Sequence, residues 1–379
     1  MGDAVVTRPD HDVLVVGAGF AGAVLAERLA SRCNLRVLVV DRRKTLGGNA
    51  HDSVNGAGIL LHRHGPHYFR TNSERIVTYL SLFTEWRTIR FRMMAWSDGS
   101  HWAFPVSLAT FEQMLGRKSS PAEMKEYLAG WRRALPAEDF ESEMISRVGA
   151  PLYERFFREY TRKQWGCDPS SLDAALARRV SLRTDRSEEA FSESFQGLPS
   201  EGYTRMFERM LSDPRITVRL GCGHRDEGAA GVFRHTVFTG AVDEYFDHCL
   251  GRLPYRSLGF EEETLEREFF QPVVQVNYPG REPFTRIIEI KHATGQRLPV
   301  TTIVREYPRD HQPGREPYYP LPTAPARDLA RRYSEMASSL GNVTFVGRLA
   351  TYRYYDMDQV VGMALSEFEN LRMKVGERP

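Results

Sequence analysis

The sequence is poor in cysteine, in lysine and in long apolar runs, and each shortage excludes something. Its 379 residues hold four cysteines (Cys33, Cys167, Cys222 and Cys249), with no CxxC pair and no metal-ligand spacing. Neither a disulfide framework nor a metal site is therefore expected. The start, MGDAVVTRPDHD, is polar and lacks the apolar core of a signal peptide. No apolar stretch reaches the roughly 20 residues of a membrane span. A reduced, cytoplasmic protein with no membrane partner is expected. Repeats and low-complexity tracts are also missing. Of 51 basic residues only six are lysine, the other 45 being arginine. They are scattered, with no nucleic-acid motif among them, which argues against a nucleic-acid partner. Formal net charge is +2, and 41% hydrophobic with 26% charged residues is ordinary for a globular chain. The length calls for two or three structural units.

What is present starts at residue 12. DVLVV reads as an apolar strand running into Gly17-Ala18-Gly19-Phe20-Ala21-Gly22, then into a helix of Ala, Val and Leu. A second apolar strand over 36–40 ends on Asp41, nineteen residues after Gly22. Strand, glycine turn, helix, strand and acid stand in the order a dinucleotide site requires. Gly17 permits the tight turn, Gly19 lets backbone approach a pyrophosphate, and Gly22 lets helix and strand pack closely. Asp41 can bind a ribose hydroxyl or merely cap its strand. Phe20 and Ala21 complete the turn. Arg42 and a second glycine turn, with Gly48 and Asn49, favour FAD over NAD.

Helical periodicity runs from LATFEQMLGR to TRKQW, with Ser120-Pro121 as one helix start. Strand signals return at ITVRLG and HTVFTG and dominate 254–306. NVTFVGRLA then reads as a strand, and YRYYDMDQVVGMALSEFENL as a turn into an amphipathic helix. The expected fold is α/β: an FAD-binding Rossmann-like domain (10–85, 205–245 and 325–375) whose first and last strands share one sheet. Inserted into it are a helical domain (86–185) and a lid with an antiparallel β-sheet (186–204 and 246–324). A cleft beside the strand ends would hold cofactor and substrate.

His62, His64 and His67 cluster in LHRHGPHYFRTN, readable as a metal site or, better, as buried histidines near a flavin. Phe156, Phe157, Tyr160 and Trp165 lie on one helical face, which suits either a core or the stacking of a nucleobase. Arg179, Arg286 and Arg348 sit beside small or apolar neighbours. Each is readable as structural or as a bidentate holder of diphosphate.

In order and spacing, GAGFAGAVLAERLA, LGGNAHD, HGPHYFRTN, YTRKQWG, FQGLPSEGYTRM, FTRIIE, REYP, EPYYP, GRLA and YRYYDM resemble the UDP-galactopyranose mutase family from about residue 12 to 370. The resemblance implies an isomerase of nucleotide sugars. In that family reduced FAD attacks the anomeric carbon through N5 and the nucleoside diphosphate leaves, so pyranose and furanose forms interconvert. A reductase or NAD(P)H would keep the flavin reduced, and a homodimer through the helical domain is a partner to expect. Carried over residue by residue, Arg179 and Arg286 would clamp the diphosphate. Tyr319 and Tyr354 would hydrogen-bond it. Tyr160, Trp165, Phe156 and Phe157 would wall the nucleoside and sugar. Arg348, Asp356, Met357, His64 and His67 would lie by the flavin, and 180–200 would form a mobile lid.

Departures from the family pattern gather around the sugar. Arg70 stands where a histidine is usual, Phe91 where an amide is usual, Ala190 where a lid tyrosine is usual, and Ile290 where another histidine is usual. Drift is one explanation. The other is a modified hexose, 6-deoxy or amino, on TDP or UDP, with Phe91 favouring a methyl group and Arg70 holding an altered substituent. An ordinary UDP-galactopyranose mutase, a flavin oxidoreductase of the same fold and a non-catalytic nucleotide-sugar binder are the alternatives.

Overall fold

Two runs rich in valine and three further short strands build a five-stranded parallel sheet. A computed structural model of the chain describes residues 10–132, 138–226 and 233–376. The sheet order is Ile216–Leu220, Val37–Asp41, Val13–Val16, His235–Phe238 and Val343–Phe345. All four pairings are parallel. Helices cover it, which is why its central strands are continuous apolar runs and not alternating ones. The first and the last of these strands in the chain lie in one sheet, as expected from sequence. Helix Phe20–Cys33 packs on the sheet and against helix Met357–Val375. Its contact with the first strand is so close that a Cβ on Gly22 would lie 1.8 Å from the Gly17 carbonyl oxygen.

A seven-stranded sheet stands beside it, in the order Tyr319–Pro320, Tyr255–Leu265, Thr301–Asp310, Arg286–Ile288, Gln275–Asn277, Met93–Ser97 and Ser100–Phe104. It is antiparallel except where Gln275–Asn277 meets Met93–Ser97. The last two strands overturn the start assigned to the helical domain, because 86–104 is not helical. The signal that places them is Asp98-Gly99, where both residues have positive φ (50° and 73°), as a tight two-residue hairpin turn needs. The helical unit begins at Leu108 and runs through short helices to Trp165 and Arg178, including a π-helical turn at Glu154–Arg158.

A small sheet corrects the lid as well. Phe195–Pro199, assigned to it, is the middle strand between Phe69–Thr71 and Trp86–Thr88. Among the described residues no helix is long and apolar enough to cross a membrane.

Candidate active site

The two sheets and the helical unit enclose one large cavity of about 560 Å³. At one end lie both glycine turns. Gly19 is the N-cap of helix Phe20–Cys33 and offers no side-chain cap, so the first N–H groups of this helix are left for a ligand. Gly47 N–H donates to the Ala18 carbonyl at 3.0 Å and ties the second turn to the first. Asp41 Oδ2 accepts from Ala18 N–H and Oδ1 from Arg43 N–H, both at 2.8 Å. Its carboxylate therefore fixes the turn as well as facing the cavity. Arg42 Nη2 and Arg43 Nη2 converge on Glu316 Oε2 at 3.0 and 2.9 Å, and Arg43 also donates to Asn49 Oδ1 at 2.8 Å. Gly17, Phe20, Ala21 and Gly48 line this end, whereas Gly22 lies beneath it as a packing residue.

The histidine cluster follows. His67 Nδ1 lies 2.8 Å from the Gly65 carbonyl and His64 Nδ1 lies 2.8 Å from the Tyr318 hydroxyl. His62 Nδ1 accepts from His67 N–H at 3.0 Å. Burial pushes His67 and His64 down to about 3 and His62 down to about 4, so all three rings are neutral near pH 7. Each has a protein partner, and no metal-holding group of three or more His, Cys, Asp or Glu occurs among the described residues.

At the other end side chains from the insertions meet those of the segment before the final helix. Tyr319 and Tyr354 stack at 5.4 Å between two guanidinium groups, Arg348 over Tyr319 at 5.3 Å and Arg179 over Tyr354 at 4.3 Å. Arg286 Nε lies 3.1 Å from Glu306 Oε1, a carboxyl that is 1% exposed. Burial works against the Arg286 charge, but Glu306 and three tyrosine hydroxyls around it (Tyr160, Tyr319 and Tyr354) raise its pKa. Burial also pushes Tyr160 up to about 12, so it remains a hydroxyl donor. Trp165, Asp356 and Met357 complete this wall.

Several residues do not sit where the sequence put them. Phe156 and Phe157 are 2% and 5% exposed and pack between the helical unit and strand Ser100–Phe104, against Trp102 and Phe104, so they do not wall the cavity. Phe91 is fully buried behind Tyr68 and Phe191 at ring distances of 4.6 and 6.1 Å. Ala190 and Ile290 are buried outside the cavity. Arg179 stands at its edge, paired with Asp356. Arg70 lines the cavity with both of its terminal nitrogens taken by Glu193 and Asp356. Arg43, which follows Arg42 after the strand, also lines the glycine-turn end; among the residues not singled out from sequence are Tyr68, Phe191, Met93, Glu316, Tyr318 and Glu306. Glu306 and Tyr318 lay within the quoted words REYP and EPYYP.

Residues 155–354 match the family model described as UDP-galactopyranose mutase, and 15–82 match a NAD(P)-binding Rossmann-like domain. A dTDP-fucopyranose mutase of Escherichia coli is 33% identical, covering 94% of this chain and 97% of its own. The chain belongs to the UDP-galactopyranose mutase family. It is accordingly an enzyme of the mutase class, an isomerase. A UDP-galactopyranose mutase of Mycoplasma genitalium is 30% identical over 95% of this chain and 94% of its own. The crystal structure of a reduced UDP-galactopyranose mutase superposes with a TM-score of 0.76 at 14% identity, over 98% of this chain and 96% of that one. Membership in the family is carried by the sequence, because the fold is more widely shared: a redesigned putrescine oxidase superposes at 0.60 and 13% identity, over 96% of this chain and 99% of the other.

Proposed function

We propose that this mutase interconverts the pyranose and furanose forms of a 6-deoxyhexose carried on dTDP, with FAD as its cofactor. The observation that carries the reading is one cavity with two unlike ends. An uncapped helix N-terminus over paired glycine turns suits the FAD pyrophosphate, and Arg286 among three tyrosine hydroxyls suits a second diphosphate. FAD bound there in its reduced form supplies a nucleophilic nitrogen for the anomeric carbon.

The remaining work falls to the chain itself. Arg286 holds the diphosphate and stabilises the charge it gains on leaving, with the hydroxyls of Tyr160, Tyr319 and Tyr354 as donors. Arg179 joins them from the edge as the second clamp. Trp165 supplies a flat face for the base. Neutral His67 donates through Nδ1 to Gly65, so its Nε2 is an acceptor toward the sugar or flavin. The cavity walls keep water from a diphosphate that must be recaptured by the same sugar. NAD(P)H or a reductase keeps the flavin reduced.

The sugar assignment rests on apolar surface. Tyr68, Met93 and Phe191 line the cavity, and Phe91 backs Tyr68 and Phe191 from behind. Such a wall accepts a methyl and leaves a hydroxymethyl unpaired. Arg70 is already engaged, so an amino or acidic substituent is not what this site is built around. The similarity to a dTDP-fucopyranose mutase supports the same choice. The test is to incubate chemically reduced protein with dTDP-fucopyranose or UDP-galactopyranose and separate the ring forms by anion-exchange chromatography. One hydroxyl against an apolar wall is worth about tenfold or more in kcat/KM, so the dTDP sugar should lead by that factor. Equal or faster turnover of UDP-galactopyranose overturns the sugar assignment, and no ring interconversion of either overturns the proposed reaction.

A further inference from the structure

Four charged side chains alternate in sign along one edge of the cavity. Glu193 pairs with Arg70, Arg70 Nη2 lies 2.9 Å from Asp356 Oδ2, and Arg179 Nη2 lies 2.9 Å from the same oxygen. They come from four separate parts of the chain. Glu193 precedes strand Phe195–Pro199, Arg70 lies within strand Phe69–Thr71, Asp356 caps helix Met357–Val375, and Arg179 ends helix Ala174–Arg178. All four are at most a third exposed, so water screens the pairs only in part.

One carboxylate oxygen thus serves two guanidinium groups. Arg179 is further held by the Tyr354 carbonyl at 3.4 Å and the Tyr354 ring, and it does not line the cavity. To reach a diphosphate beside Arg286 it must let go of Asp356. Arg70 eases that exchange, because it stays on the carboxylate and neutralises it. Arg70 is itself engaged on both terminal nitrogens and one face. Glu193 takes one terminal nitrogen, Asp356 the other, and Phe191 covers its face at 4.4 Å. With Arg70 removed, Asp356 would grip Arg179 harder and would also face the incoming dianion uncompensated. Both effects weaken diphosphate binding. Removing Glu193 has the opposite sign, since Arg70, with Asp358 as its remaining acidic neighbour, then gives more of its charge to Asp356 and loosens Arg179.

We propose that Arg70 is a positioning residue for the diphosphate clamp, acting by sharing Asp356 with Arg179. The proposal rests on the reading above, in which Arg179 is that clamp and a nucleoside diphosphate is the ligand. It is tested by titrating dTDP and UDP into the flavin-loaded protein by calorimetry. The variants are Arg70→Ala, Arg70→Lys, Glu193→Gln, Asp356→Asn and Arg70→Ala in the Asp356→Asn background. Arg70→Ala should weaken binding about fivefold, the factor for a partly screened pair. Arg70→Lys should weaken it less, because one ammonium keeps the charge and loses the fork. Glu193→Gln should tighten binding, a result that loss of a merely structural tie would not give. In the Asp356→Asn background Arg70→Ala should cost less than about twofold. Unchanged binding in Arg70→Ala overturns the proposal. So does weaker binding in Glu193→Gln, or an equal loss in both Asp356 backgrounds, which would mean that Arg70 touches the diphosphate itself. If Asp356→Asn loses its flavin, the opposite signs of Arg70→Lys and Glu193→Gln decide. Binding of neither diphosphate to the unaltered protein overturns the proposed substrate on which this inference rests, a failure distinct from these.

Discussion

Arg286 and Glu306 face each other directly across two antiparallel strands, and Arg286→Ala should expose how much the fold depends on their charges cancelling. Glu306 is 1% exposed and Arg286 19%, with 3.1 Å between Nε and Oε1. Thr285 Oγ1 adds a longer contact at 3.3 Å to the same oxygen, and Oε2 has no hydrogen-bond partner among the described residues. Arg286→Ala therefore strands a buried carboxylate. Removing one partner of a buried pair costs about 3 kcal/mol at the lower end. With an unfolding entropy of about 2.1 cal/mol/K per residue, a chain of this length would lose about 4 °C in Tm. The loss depends on pH. Burial already raises the Glu306 pKa while Arg286 and Thr285 pull it back, so without Arg286 it rises further. A carboxyl whose folded pKa exceeds its unfolded value contributes stability below the unfolded pKa and loses it as pH rises through the folded one. The deficit of Arg286→Ala should accordingly be smallest at the acid end and grow toward neutrality. Adding Glu306→Gln removes the stranded charge and should recover most of the deficit near pH 7. Thermal melts between about pH 5 and pH 8 measure both. A deficit that ignores pH, or a double variant no more stable than Arg286→Ala, refutes the pairing.

Gly22→Ala should cost the protein its flavin, because the added Cβ would meet the Gly17 carbonyl at 1.8 Å and push helix Phe20–Cys33 off the glycine turn. Overpacking of this kind costs about 1–3 kcal/mol, and the flavin content of the purified variant reads it; full occupancy would show that the turn tolerates the shift. Phe156→Ala should lower Tm by about 4 °C, from a cost of about 3 kcal/mol for a large cavity in the helical core. It should leave KM for the nucleotide sugar within about twofold. A large rise in KM without loss of stability would return Phe156 to the cavity wall.

What could be read from sequence was what is local. The glycine turn, Asp41 and the flanking strands occupy thirty consecutive residues, and their period and spacing fixed the dinucleotide domain before any tertiary contact was known. Asp98-Gly99 is equally local, but the Trp, Arg and Met residues around it hide the strand alternation that marks a hairpin. Phe156 and Phe157 show the limit of periodicity: a helical aromatic face announces burial against something, but core and ligand leave the same pattern. Glu306 was out of reach for another reason. Its place opposite Arg286 depends on strand register across the turn and short helix between them, and register is set by tertiary packing. The same holds for Arg70, whose two partners lie 123 and 286 residues away.

The division of labour in the molecule follows from where its charges come from. The parallel sheet contributes glycines, Asp41 and an uncapped helix, features suited to a dinucleotide. Arg286, Tyr160 and Trp165 are carried by the inserted sheet and helices, and Arg179 follows the last short helix of the helical unit. Arg70 belongs to neither group, since it sits on a strand of the small sheet that pairs with the end of the 186–199 segment. A substitution there reaches the diphosphate end only through Asp356, the N-cap of the final helix of the dinucleotide domain. Changing Arg70 should therefore alter how the two ends of the cavity are matched while leaving the composition of each intact. That is why its effect is sought in ligand affinity and in the Asp356 background, and not in the flavin spectrum.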